Sequence, residues 1–177
     1  MNNRGQFSRY LTVVMDTTNY NIERKSHGGD LSYDVRIAEI FLKSDRHYIQ
    51  KALSLFLDST EKFDRAVEIV YGTYNCLDLN GPFTWKHAIQ LMNVSKRTKN
   101  TCMGNGMLLE VKDYNAFFEA VVRWLKRRKG AVTIDIQCPY LMDAFNPRFK
   151  EYVEYRTTFS VQFLGGGTYI RKKHPTL

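Results

Sequence analysis

No stretch of this sequence approaches the roughly 20 consecutive apolar residues that a membrane-spanning helix needs, so no such helix is expected. Met1 to Tyr10 lack the apolar core of a secretory leader, which predicts a chain that stays on the cytosolic side of any membrane. Cysteine is scarce. Cys76, Cys102 and Cys138 are odd in number, far apart and without a C-x-x-C pair. That spacing argues against a zinc site and a disulfide framework and predicts reduced, mostly buried thiols. His27, His47, His87 and His174 fall in unrelated segments, and none makes the i, i+4 pairing of a zinc helix, so no metal site is expected. The sequence holds neither a G-x-S-x-G elbow nor a Walker-type phosphate loop. Met103-Gly104-Asn105-Gly106-Met107 is glycine-rich, but it precedes an expected strand where a dinucleotide fingerprint follows one, and it reads as a turn. The expectation is a protein without catalytic residues or cofactor, not an enzyme.

Positive charge is what the sequence has in excess. Lys and Arg number 26 against 18 Asp and Glu, a formal net charge of +8, which favours a polyanionic partner: nucleic acid, an anionic membrane surface or an acidic protein. The excess gathers at three places. Lys96, Arg97 and Lys99 form one cluster; Arg123, Lys126, Arg127, Arg128 and Lys129 a second; Arg171, Lys172 and Lys173 a third. The middle cluster closes an expected helix, where one or two cations complement the negative end of the dipole. Four in a row exceed that need. These residues are the candidate site for RNA or anionic lipid, a contact with phosphates that reads no base sequence.

Apolar residues make up 44% and aromatics 14% of 177 residues, enough for one domain over the whole chain, with short flexible ends at about 1–8 and 165–177. Period-2 patterning predicts strands over Arg9 to Asp16 and Leu31 to Lys43. Ile49, Ala52, Leu53 and Phe56 stand at helical spacing and predict a helix from Arg46 to Leu57, capped by Asp45. Val67 to Leu79 reads as strand. Asn80-Gly81-Pro82 opens a helix whose stripe is Trp85, Ala88, Ile89 and Met92. A basic loop, Ser95 to Asn100, and a short strand, Gly106 to Lys112, follow. Asp113 caps the clearest helix, Tyr114 to Lys129, with Tyr114, Phe117, Phe118, Val121 and Leu125 inward and Gly130 at its end. Its Trp124 is read as exposed beside Arg123 and Lys126; Phe83, Trp85, Phe117 and Phe118 are read as core. Ala131 to Gln137 alternates with Val132, Ile134 and Ile136 inward, and a loop runs through Pro139 and Pro147. Val153 to Phe163 reads as one long strand, after which Gly165-Gly166-Gly167 frees a tail. No internal repeat is apparent. These elements predict an α+β fold, a mostly antiparallel sheet with about three helices packed on one side.

The order of several of these elements resembles a known family. The strand from Asp34 to Lys43 leads into the helix ending near Leu57; then come Ile69-Val70-Tyr71-Gly72 and the run Gly81-Pro82-Phe83-Thr84-Trp85-Lys86-His87-Ala88-Ile89-Gln90-Leu91. With the later strand Val132-Thr133-Ile134-Asp135-Ile136, this resembles the matrix proteins of rhabdoviruses, over roughly Leu31 to Leu164. The small size and short N-terminus look most like those of plant-infecting cytorhabdoviruses. The resemblance implies a non-enzymatic structural protein of the virion, lying beneath the envelope, in the host cytoplasm and on cytosolic membrane surfaces. It implies self-association into an oligomer or lattice, condensation of the viral ribonucleoprotein, and contact with the anionic inner leaflet and the viral glycoprotein tail. The lysine-rich N-terminal arm of better-known members, and the PPxY motif of some, have no counterpart here, so no functional residue transfers from them. The alternative is a basic nucleic-acid-binding accessory protein, such as an RNA-silencing suppressor or replication factor. A third reading is a small transferase-like enzyme using the Gly104 turn or a histidine.

Overall fold

A computed structural model describes residues 6–14 (backbone only), 46–128, 130–138, 140–141, 144–164 and 167–172. Among them eight strands form one sheet: β1 Gln6–Val14, β2 His47–Phe56, β3 Val70–Gly72, β4 Cys76–Asn80, β5 Asn100–Met103, β6 Thr133–Ile136, β7 Phe159–Leu164 and β8 Gly167–Lys172. Four α-helices accompany them: α1 Thr60–Ile69, α2 Trp85–Val94, α3 Tyr114–Lys126 and α4 Phe145–Arg156. The sheet order is β1-β2-β4-β5-β6-β8-β7, with β3 beside β2.

The expected combination of a sheet with a helical layer is what the chain adopts, and its strand pairing is mixed. From β1 to β6 every pairing is parallel; β6–β8 and β8–β7 are antiparallel. The cause is connectivity. Helices join β2 to β4, β4 to β5 and β5 to β6, and such a crossover returns the chain to start the next strand in the same direction. The result is a repeated strand–turn–helix unit that the sequence does not display. Ala52, Cys76, Asn100 and Thr133 are Cα partners across successive strands. The turns stack as well. Gly81 sits at φ 108°, and a Cβ there would lie 1.8 Å from the Leu57 carbonyl oxygen, so this turn needs glycine where it touches the unit before it.

One face of the sheet is buried. Leu53 and Leu55, Leu77 and Leu79, Met103, Ile134 and Ile136, Ile170, and Phe159 and Val161 belong to a core shared with the helices. The helices lie side by side, α1 against α2, α2 against α3 and α3 against α4. Between α3 and α4 the core is aromatic: Phe118 meets Phe145 and Phe149 with ring centroids 5.3 and 5.1 Å apart, and Tyr114 meets Phe145 edge-on at 5.1 Å. The alternate positions carry an in-register row, Ser54, Asp78, Cys102, Asp135 and Tyr169, each half-buried.

Several elements differ from the sequence expectation. His47–Phe56 is a strand, not a helix. Its apolar residues satisfy both periods, and partners on both flanks, β1 and β4, decide in favour of extension, with Ile49, Leu53 and Leu55 buried. Gly106 to Lys112 is not a strand, because β5 has already formed at Asn100–Met103; a 3₁₀ turn at Val111–Asp113 leads into α3. The expected strand from Val153 divides. Phe145, Phe149 and Val153 make a buried stripe at i, i+4, i+8, so α4 runs to Arg156 and β7 begins at Phe159. Pro147 sits inside the first turn of α4, where its missing N–H costs nothing. Gly167–Lys172 is a sheet strand in place of a free tail. The expected strand Leu31 to Lys43 lies outside the described residues. β1, α2, α3 and β6 form close to where they were expected.

A candidate polyanion-binding end

In a parallel strand–helix–strand unit the strand runs one way and the helix back, so strand N-termini and helix C-termini collect at one end of the molecule. Here that end gathers basic segments far apart in sequence. The loop after α2 carries exposed Lys96, Arg97 and Lys99, and the Lys99 carbonyl accepts the Thr133 N–H at the start of β6, 2.7 Å away. α3 closes with exposed Arg123 and Lys126, followed by exposed Arg127 and half-buried Arg128. Arg127 Nη2 donates to Asn93 Oδ1 of α2 at 3.0 Å, fastening the second cluster onto the first. The third arrives by strand reversal: β8 runs antiparallel to β6 and ends there, with Arg171 opposite Thr133 and Lys172 opposite Phe159.

All three clusters therefore meet, and the fold adds Arg156, exposed at the end of α4, which the sequence reading missed. A helical reading of Phe145, Phe149 and Val153 would have found it. Lys129 and Lys173 lie outside the described residues. The C-termini of α2, α3 and α4 each bring roughly half a negative charge to this end. Against them stand Lys96, Arg97, Lys99, Arg123, Lys126, Arg127, Arg128, Arg156, Arg171 and Lys172. Of nearby carboxylates, Glu119 lies 3.8 Å from Arg123, and Glu154 accepts the Val161 N–H at 2.8 Å. The end remains strongly positive. At the other end charges of both signs alternate and pair, Lys62 with Asp58 at 2.6 Å and Lys112 with Glu110 at 2.7 Å, with Glu61 and Asp113 alongside.

Two expectations within the cluster are corrected. Trp124 is not exposed; it is wholly buried, and its Nε1–H donates to the Met92 carbonyl at 3.0 Å. Arg128 is not a solvent-facing charge. Its Nη2 donates to the Met92 and Ser95 carbonyls at 3.3 and 3.4 Å, its Nη1 donates to the Lys96 carbonyl, and the guanidinium lies 4.3 Å over the Trp124 ring. These carbonyls belong to the last turn of α2 and the loop beyond it, where helical partners run out. Arg128 caps α2 from the neighbouring helix. Its pKa is pushed below the ordinary value, first by burial and then by Arg127 beside it.

Among the described residues, His87 is engaged in structure and the thiols of Cys102 and Cys138 are held un-ionised. His87 Nδ1 accepts the Thr84 N–H at 3.1 Å and its backbone N–H donates to Thr84 Oγ1 at 3.3 Å, a capping box for α2. The other ring nitrogen, which must then carry the proton, donates to Asp64 Oδ1 at 2.8 Å. Asp78 and Asp135 flank Cys102, but burial, followed by these carboxylates, pushes the thiol up to about 12, so the nucleophilic thiolate is suppressed. Burial likewise raises the Cys138 thiol. Among the described residues no three His, Cys, Asp or Glu side chains are placed to hold a metal ion, and no helix is long and apolar enough to cross a membrane.

Compared with protein-family models, with curated proteins and with solved structures, the chain matches none.

Proposed function

We propose that this protein is a non-catalytic binding module that engages a polyanion, foremost RNA, through the basic end of its sheet. The observation that supports this reading is the convergence of three clusters, widely separated in sequence, at one end of the fold, while charges at the opposite end pair with each other. A cluster of this kind attracts phosphates by releasing their counterions, without reading sequence. Filter binding of single-stranded RNA over a range of salt tests it. Log affinity falls linearly with log salt, at a slope of about −0.7 for each phosphate neutralised. Absent binding at low salt, or binding indifferent to salt, overturns the proposal.

A viral matrix role, in which such an end would meet ribonucleoprotein or the inner leaflet, is the second reading. One of the elements behind that resemblance, the helix from Arg46 to Leu57, is a strand, but the edge of the sheet favours the self-association that the role requires. Among the described residues β7 pairs with β8 alone, contains no Lys or Pro, and exposes Phe163 and Leu164. An open edge of this kind is a template for a second copy. Light scattering against concentration decides: growth that Phe163→Lys suppresses supports the role, and a monomer at every concentration and salt removes it.

A further inference from the structure

At the basic end, the chain leaving α4 passes close to the end of α3, and a groove of about 390 Å³ lies between them. Its lining includes Lys126 and Arg128 on one side and Tyr155, Arg156, Thr157 and Thr158 on the other. Among the described residues no carboxylate lines it. A second hollow of about 380 Å³ adjoins it, bounded by Asn115, Arg148, Glu151 and Tyr152, and the two share Tyr155 and Arg156. Each is at the small end of the range for small-molecule sites.

Tyr155 is the feature that needs explaining. It is 85% exposed, although it belongs to a helix whose Phe145 and Phe149 are fully buried. The Arg156 guanidinium lies 3.8 Å over the Tyr152 ring and 5.7 Å from the Tyr155 ring, so a cation and two aromatic rings stand together on the partition between the hollows. A flat basic surface is enough for lipid headgroups or for the outside of a duplex, and neither requires two adjoining clefts beside an exposed ring. A single strand does, because its unpaired bases offer π-faces to stack while its phosphates follow the cations.

We propose that these two hollows form a binding site for single-stranded nucleic acid. A base stacks on Tyr155, and a phosphate lies in the carboxylate-free groove between Lys126 and Arg156, within reach of the Thr158 hydroxyl. The neighbouring hollow, where Arg148 and Glu151 provide a donor and an acceptor, receives the edge of an adjacent base. The site rests on the reading that the basic end binds polyanions, and it narrows that reading to unpaired strands.

Fluorescence anisotropy tests it with three probes: a short labelled single-stranded RNA, the same sequence as a duplex, and phosphatidylserine-containing vesicles. Tyr155→Ala weakens single-strand binding roughly tenfold or more, and Tyr155→Phe, which keeps the ring, stays near wild type. Lys126→Gln weakens single-strand binding and lowers its salt slope. Duplex and vesicle binding are unmoved by Tyr155→Ala, and its melting temperature is unchanged because the ring is exposed. If the wild type binds the single strand and Tyr155→Ala binds it equally well, the site is wrong while the basic-end reading stands. Duplex bound as tightly as single strand, or vesicle binding that disappears with Tyr155, also overturns the site. If the wild type does not bind the single strand even at low salt, the basic-end reading itself fails.

Discussion

Arg128 shows how far a single charge can depart from its local pattern. In sequence it is the third cation of a run closing a helix, indistinguishable from Arg127. In the fold, Arg127 reaches a side-chain oxygen at the exposed surface, whereas Arg128 lies over Trp124 and donates to three carbonyls at the end of α2. Its backbone position, one residue farther along a closing helix, sends the side chain inward toward α2, and no local periodicity reports that. The two should separate in a melting experiment. Arg128→Ala costs about 1–3 kcal/mol, the usual range for losing hydrogen bonds from a charged donor, and Arg127→Ala stays within about 0.5 kcal/mol. Equal melting temperatures for the two variants would contradict the capping role.

Among the elements, those whose pattern admits a single period were legible. α3 places Tyr114, Phe117, Phe118, Val121 and Leu125 on one buried face as its sequence requires, and β6 alternates as expected. The failures share a cause. His47–Phe56 carries apolar residues that suit either period, and Val153 to Phe163 alternates across what is really a helix end followed by a strand. Only neighbours far away in sequence resolve such cases. The parallel repeat is hidden for a similar reason: its units align through strand register and stacked turns, not through matching residues. The structure also redistributes the load between the tryptophans. Trp85 is half-buried on α2, whereas Trp124 is wholly buried and hydrogen-bonded to Met92. Trp124→Ala therefore costs about 3–5 kcal/mol and Trp85→Ala about half that or less. Urea denaturation of both variants measures the order, and a larger destabilisation at Trp85 would refute the packing described.

For the whole molecule, the candidate site was present in the sequence only as pieces. Each basic cluster was visible. That they share one end depends on parallel crossovers and on β8 turning back beside β6, pairings between distant segments that no residue pattern reports. Net charge alone would also attract RNA, so placement is what has to be tested. Two triple variants remove the same charge from opposite ends. One replaces Lys96, Arg97 and Lys99 with Gln; the other replaces Lys62, Lys86 and Lys112 with Gln. The measurement is the affinity for single-stranded RNA as a function of salt. Binding through the basic end predicts that the first triple weakens affinity and flattens the salt slope by about 0.7 for each phosphate no longer neutralised, while the second stays close to wild type. Equal weakening in both, or none in the first, would contradict it.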